Sequence, residues 1–199
     1  MLRSAGILGA LTAASRVLGF VRDSIIAAVY GTSATAQAFV VAFRIPNLFR
    51  DLAGEGAANS AFVPVFSRTR LVEGKISWAA LAQAVWSQVL IGFIAVSALG
   101  IVAAPALVTV VAPGFRNDPA LYDLTVRLTR VLFPFIGLIG IATFFMGLLN
   151  SVHHFTLPSL GPVLLNLCMI GGIFLWKPDA MGLAWGVIAG GVLQAAVQW

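Results

Sequence analysis

Residues 76–115 read ISWAALAQAVWSQVLIGFIAVSALGIVAAPALVTVVAPGF and contain no charged side chain. About 20 apolar residues suffice for a helix to cross the hydrocarbon core of a bilayer. Strand-type alternation is absent here, and in lipid every backbone N–H and C=O must find a partner within the protein. The run therefore predicts a transmembrane helix over about 78–111. The rest of the chain agrees with it. Of its 199 residues, 60% are apolar and 10% charged, where a soluble domain carries about 25% charged residues. The fold class is all-α: a polytopic transmembrane helical bundle with room for about six spans.

Working outward, the spacing predicts helices over about 2–30, 34–62, 78–111, 121–150, 157–176 and 180–199, forming one transmembrane lobe over 1–199. The second is expected to break or kink at Pro46 and to loosen at Gly54 and Gly56. Residues 66–77 read as a polar connector, with Arg68, Arg70, Glu73 and Lys75. A turn-rich loop covers 112–119, Pro134 predicts a kink in the fourth helix, and His153, His154, Pro158 and Pro162 mark a short break. The first two helices carry so many charges that hydropathy alone scores them weakly. Arg3, an apolar stretch and Ala14-Ser15 resemble a cleavable signal, but apolar sequence resumes at Val17 and no secreted domain follows. Lys and Arg in the connectors favour a cytoplasmic N-terminus: Arg3, Arg68, Arg70 and Lys75 inside, Arg116 and Lys177 outside. Gly182, Gly186 and Gly190 recur every fourth position, and Gly137 and Gly140 share a face. Both patterns permit close helix approach, and the first offers a contact for a second copy.

The chemistry-bearing stretch is 15–55. It holds Arg16, Arg22, Asp23, Arg44, Arg50, Asp51 and Glu55, seven of the chain's nineteen charged residues. A charge at the bilayer centre costs about 2.5–3.5 kcal/mol on insertion scales, so such groups normally face a bundle interior or a water-filled pathway. Arg16 and Asp23, seven apart, share a helix face with Thr12 and Gly19. In the second helix Gln37, Arg44, Asp51 and Glu55 fall on one stripe, with Asn47 flanking and Arg50 to another side. Two readings stand. The charges pair internally, with Arg22 meeting Asp51 or Glu55 across the helix pair. Alternatively, an excess of guanidinium over carboxylate grips a phosphate or pyrophosphate, whose oxygens match the planar donor fork.

Other candidates carry less. Asp123 and Arg127 make a local i,i+4 pair with Arg130 snorkelling nearby. His153 and His154 lack a nearby acid or thiol to complete a metal site, so no metal or cofactor is expected. The single Cys168 excludes an internal disulfide. No nucleotide-binding or hydrolase motif occurs. The net charge of +5 is scattered and does not suggest nucleic acid; it suits anionic membrane lipids.

Ser15-Arg-Val-Leu-Gly-Phe-Val-Arg-Asp, then Ala38-Phe-Val-Val-Ala-Phe-Arg-Ile-Pro-Asn-Leu-Phe-Arg, Gly54-Glu-Gly-Ala and Ala61-Phe-Val-Pro-Val-Phe resemble the MurJ (MviN) family in order, spacing and identity. Gly114-Phe in the outer loop fits as well. The resemblance implies a flippase of the multidrug/oligosaccharidyl-lipid/polysaccharide exporter superfamily. Such a protein moves undecaprenyl-pyrophosphate-linked peptidoglycan precursor (lipid II) from the inner to the outer leaflet of the cytoplasmic membrane by alternating access. It implies no enzyme activity. It places Arg16, Arg22 and Asp23 at cavity positions of the first helix and Asn47, Arg50 and Glu55 at polar positions of the second. Gln37, Arg44 and Asp51 are further cavity candidates. Gln37 stands where some members carry an acid, which puts a gating role there in doubt. The family has two lobes and more helices than this chain can hold, so the chain is expected to be the first lobe of a longer protein. Its partners would be lipid II, membrane lipids, a C-terminal lobe and cell-wall synthesis machinery. The rival readings are a transporter of another polyanionic or drug-like substrate on the same architecture, and a membrane scaffold without transport.

Overall fold

A computed structural model describes residues 2–51, 62–176 and 179–199, with side chains for 6–48, 62–176 and 179–199. The elements are α1 (Leu2–Tyr30), α2 (Ala34–Asp51), α3 (Val63–Val72), α4 (Gly74–Val111), a 3-10 turn (Pro113–Asn117), α5 (Pro119–Leu132), α6 (Pro134–Ser151), α7 (Thr156–Trp176) and α8 (Ala180–Gln198). No strand occurs among the described residues. Two ends are cut by side-chain caps: Asp118 accepts from Leu121 N at 3.1 Å to start α5, and Asp179 accepts from Met181 N at 2.9 Å to start α8.

The core lies where α2, α5, α6, α7 and α8 converge. Leu128, Leu132, Phe135, Ile173, Leu183 and Val187 are fully buried there, and Phe39 stacks on Phe43 at 5.5 Å to carry α2 onto it. The glycine pattern of α8 is spent on α7. A Cβ on Gly186 would sit 2.7 Å from the Cys168 carbonyl oxygen, and one on Gly190 would sit 2.8 Å from Leu165 Cα. This face is therefore closed by the chain itself and offers no contact to a second copy, against that expectation. Gly137 and Gly140 face α4, with Ser97 Oγ 3.2 Å from a Cβ at 137 and the Phe93 ring against Gly140.

Several expectations change. The 66–77 segment is helical almost throughout: α3 covers Val63–Val72, and α4 starts at Gly74, whose φ of +88° makes the turn. The segment reads as a connector because Arg68, Arg70, Glu73 and Lys75 crowd it. Its inner face buries Phe66, which sits edge-on to Phe144 at 6.1 Å. The helix through Pro46 continues unbroken to Asp51, while Gly54, Gly56 and the remainder of that expected helix to 61 lie outside the described residues, as does Lys177. Pro134 divides the expected fourth helix into α5 and α6 with Phe133 still helical between them, φ −60° and ψ −38°. Among the described residues four segments are long and apolar enough to cross a membrane: α4, α5 with α6, α7 and α8. α1 and α2, which complete the expected six, are not among them. Ala14-Ser15 lies within continuous helix.

Candidate functional site

α1 does not pair with α2 along its length; it leans on α7, while α2 leans on α5. The contact that holds α1 is Asn166, buried in the middle of α7. Asn166 Nδ2 donates to the Ser15 carbonyl at 3.1 Å, and its Oδ1 accepts from Arg22 Nη1 at 2.8 Å. Gly19, one turn before Arg22, also faces this seam; a Cβ there would make an ordinary contact, 3.7 Å from Asn166 Nδ2. Arg22 then turns its other edge to its neighbour. Nε and Nη2 both donate to Asp23 Oδ1, at 2.9 and 2.7 Å, and Met169 Sδ lies 3.8 Å from Nη1.

The electrostatics of this cluster follow from exposure. The Arg22 side chain is 19% exposed and that of Asp23 66%. A half-buried guanidinium is thus neutralised by a carboxylate reaching in from the open side. Of the five N–H donors of Arg22, four are used among the described residues, the weakest on the Met169 sulfur, and one remains, on Nη2. An arriving oxyanion can take that one, or displace the exposed Asp23 and gain the fork edge.

The structure keeps the remaining candidates apart from this cluster. Arg16, on the same face of α1 as Asp23, is exposed. Gln37 is exposed, and its Nε2 donates to the Thr32 carbonyl at 3.0 Å, closing the 31–33 turn. Arg44 is exposed and Asn47 half-buried. Arg16, Arg44 and Asn47 make no hydrogen bond or ion pair to another described residue. Arg50 and Asp51 lie in α2, but their side chains are outside the described residues, as is Glu55. Arg22 pairs with Asp23, while its expected pairing with Asp51 or Glu55 falls on side chains outside the described residues; Asp123 with Arg127 forms no ion pair, and Arg22–Asp23 is the one salt bridge among the described residues. Both His153 and His154 are exposed.

Next to Ser15 a cleft of about 450 Å³ opens between α1, α6 and α7, with Thr12 and Asn150 among its lining residues. Asn150 Oδ1 is buried there without a donor. Asn150 and Asn166 are the functional candidates that sequence reasoning missed. The signal for Asn166 was present, since it is the only amide side chain in the apolar run 156–176.

Comparison with known proteins gives a consistent result. The family model described as "Lipid II flippase MurJ" matches residues 26–199. A Rhizobium tropici protein described as "Probable lipid II flippase MurJ" is 39% identical over 198 residues, covering 96% of this chain and 37% of that protein. A Burkholderia cenocepacia protein described as "Lipid II flippase MurJ" is 40% identical over 191 residues, covering 94% and 37%. A solved structure titled "Lipid II flippase MurJ, inward closed conformation" superposes with a TM-score of 0.81 at 26% identity, over 95% of this chain and 40% of that one. The chain spans less than half the length of each of these relatives.

Proposed function

The chain belongs to the MurJ family of lipid II flippases, and from that premise we propose that its bundle is the first of two lobes that move lipid II across the bacterial cytoplasmic membrane. The observation that carries this reading is the state of Arg22. It is anchored by a buried amide on one side and held by a displaceable, exposed carboxylate on the other. A pyrophosphate entering from the open side of α1 takes the place of Asp23 at the fork. Arg16, on the same helix face, adds a second cation without a competing acid. Arg50 is the third, and Asn47 and Glu55 complete the polar set on the second helix; Gln37, Arg44 and Asp51 flank it. Asp23 serves as the counter-ion when no substrate is bound. The N-terminus lies in the cytoplasm, and the second lobe closes the cavity from the opposite side.

The test is made in the full-length protein. Arg16→Ala, Arg22→Ala and Arg50→Ala should each abolish lipid II exposure on the outer leaflet while membrane insertion stays normal. Lysine at each position should rescue only in part, because a point charge does not reproduce the two-donor fork. Normal growth of a flippase-depleted cell on the triple alanine variant would remove the cationic site.

A further inference from the structure

A second cationic site lies at the junction of α3 and α4, on elements remote in sequence from Arg22. Arg70 in the last turn of α3, Lys75 in the first turn of α4, Trp78, Ala79, Val152 and His154 enclose a cavity of about 490 Å³. The Arg70 guanidinium lies 5.9 Å from the centroid of the Trp78 ring, a cation–π contact that orients the fork. Trp78 Nε1–H is buried and has no acceptor among the described residues. His154 is brought in by the end of α6. His154 N donates to the Leu149 carbonyl at 2.9 Å and His153 N to the Asn150 carbonyl at 3.1 Å, with His153 at φ +65° between them. That is a helix C-terminal lock, and it fixes the direction of the 152–154 segment. The neighbouring acid is Glu73, exposed on the turn between α3 and α4 and outside the cavity lining. It makes no ion pair with Arg70 or Lys75, so the cavity remains net positive.

The position relative to the bilayer selects the anion. Leu71, Val72 and Ile76 beside the cavity are 85%, 75% and 88% exposed, and the charge-free run of α4 begins at Ile76. Apolar side chains therefore enter the hydrocarbon immediately beside cations that cannot. We propose that this cavity binds the phosphodiester headgroup of an anionic membrane phospholipid, with Arg70 and Lys75 on the phosphate, while Leu71, Val72 and Ile76 lie along its acyl chains. Basic pockets at a membrane face recognise such headgroups by the same chemistry. The site does not depend on the transport reading.

The experiment uses the purified full-length protein, stripped of lipid and titrated with phosphatidylglycerol or phosphatidylcholine while retained lipid is read by native mass spectrometry. Phosphatidylglycerol should be retained in preference. Arg70→Gln and Lys75→Gln should each reduce that preference about fivefold, and Glu73→Gln should raise it. Should the glutamine variants fail to fold, the Glu73→Gln arm and a charge-preserving Arg70→Lys variant, expected to retain binding, carry the test. Equal retention of the two lipids, no change with either glutamine variant, or a fall with Glu73→Gln would overturn the site. Displacement of phosphatidylglycerol by millimolar inorganic phosphate would show a soluble anion as the occupant and overturn the lipid assignment.

Discussion

Asn166 faces two ways, taking Arg22 on its oxygen and giving to the Ser15 carbonyl on its nitrogen. A leucine there keeps the volume and loses both contacts, leaving a half-buried guanidinium with one partner. Hydrogen bonds to charged groups contribute about 1.5–3 kcal/mol in water-soluble proteins, and interhelical bonds in membranes somewhat less. Asn166→Leu should therefore lower the stability of the detergent-solubilised protein by about 1–2 kcal/mol, measured as a drop in unfolding midpoint. Asn166→Asp should hold Arg22 more tightly with a second carboxylate and slow transport without loss of stability. An unchanged transport rate would show that Arg22 is a structural strut only. The charged half of this cluster was legible in the sequence, because Arg22 and Asp23 stand in an apolar helix. Their pairing with each other was not. Adjacent residues diverge by about 100° around a helix, yet the long arginine stem swings back to its neighbour and makes the shorter-range pair. Asn166 was overlooked because one amide in an apolar run resembles a solvent-facing or packing residue until its partners 144 and 151 positions away are known.

Among the elements, the helix boundaries set by proline, glycine and acidic caps were legible: α1, α7 and α8 fall at or within a residue of their expected ends. α3 was not, since ten residues with four hydroxyl or basic side chains in a row, Ser67 to Arg70, look like loop by composition. Only the burial of Phe66 against α6 reveals the helix. The end of α6 shows a different conflict. His153 occupies a left-handed position, φ +65°, where a side chain costs roughly 1 kcal/mol and glycine nothing. His153→Gly should raise the unfolding midpoint by an amount equivalent to about 0.5–1 kcal/mol, while the Leu149–His154 bond persists. A fall in stability would mean that the ring contact of His153 with Phe155, 6.2 Å between centroids, outweighs the backbone strain.

For the whole molecule, composition settled the helical membrane class, while the arrangement of helices was not in the composition. The periodicity of α1 and α2 gave each a polar stripe, which suggested that they face one another; with α1 packed on α7 and α2 on α5, Arg16, Gln37 and Arg44 are exposed instead. Orientation is testable directly. In a full-length background with Cys168 replaced, single cysteines at Ser67 and Asn117 should differ: in intact cells an impermeant thiol reagent should label Asn117→Cys and spare Ser67→Cys. The reverse pattern would invert the proposed topology.

The exposed arginines of α1 and α2 also bear on whether residues 1–199 can act alone. Arg16 and Arg44 are exposed with no described partner, a costly arrangement in lipid unless another body covers them. Two copies of the same lobe are a poor substitute. The small-residue face of α8, the surface best suited to close association, is already filled by α7. A second copy would also bring arginines against arginines across the cavity. Alternating access needs two bodies rocking about a shared midplane site, and the relatives matched here are more than twice as long. Expression of residues 1–199 in a flippase-depleted cell should therefore restore no lipid II to the outer leaflet, although the fragment inserts. Co-expression of the remaining portion of the full-length protein should restore it. Exposure of lipid II by the fragment alone would show that this unit is sufficient and that its exposed arginines close on themselves.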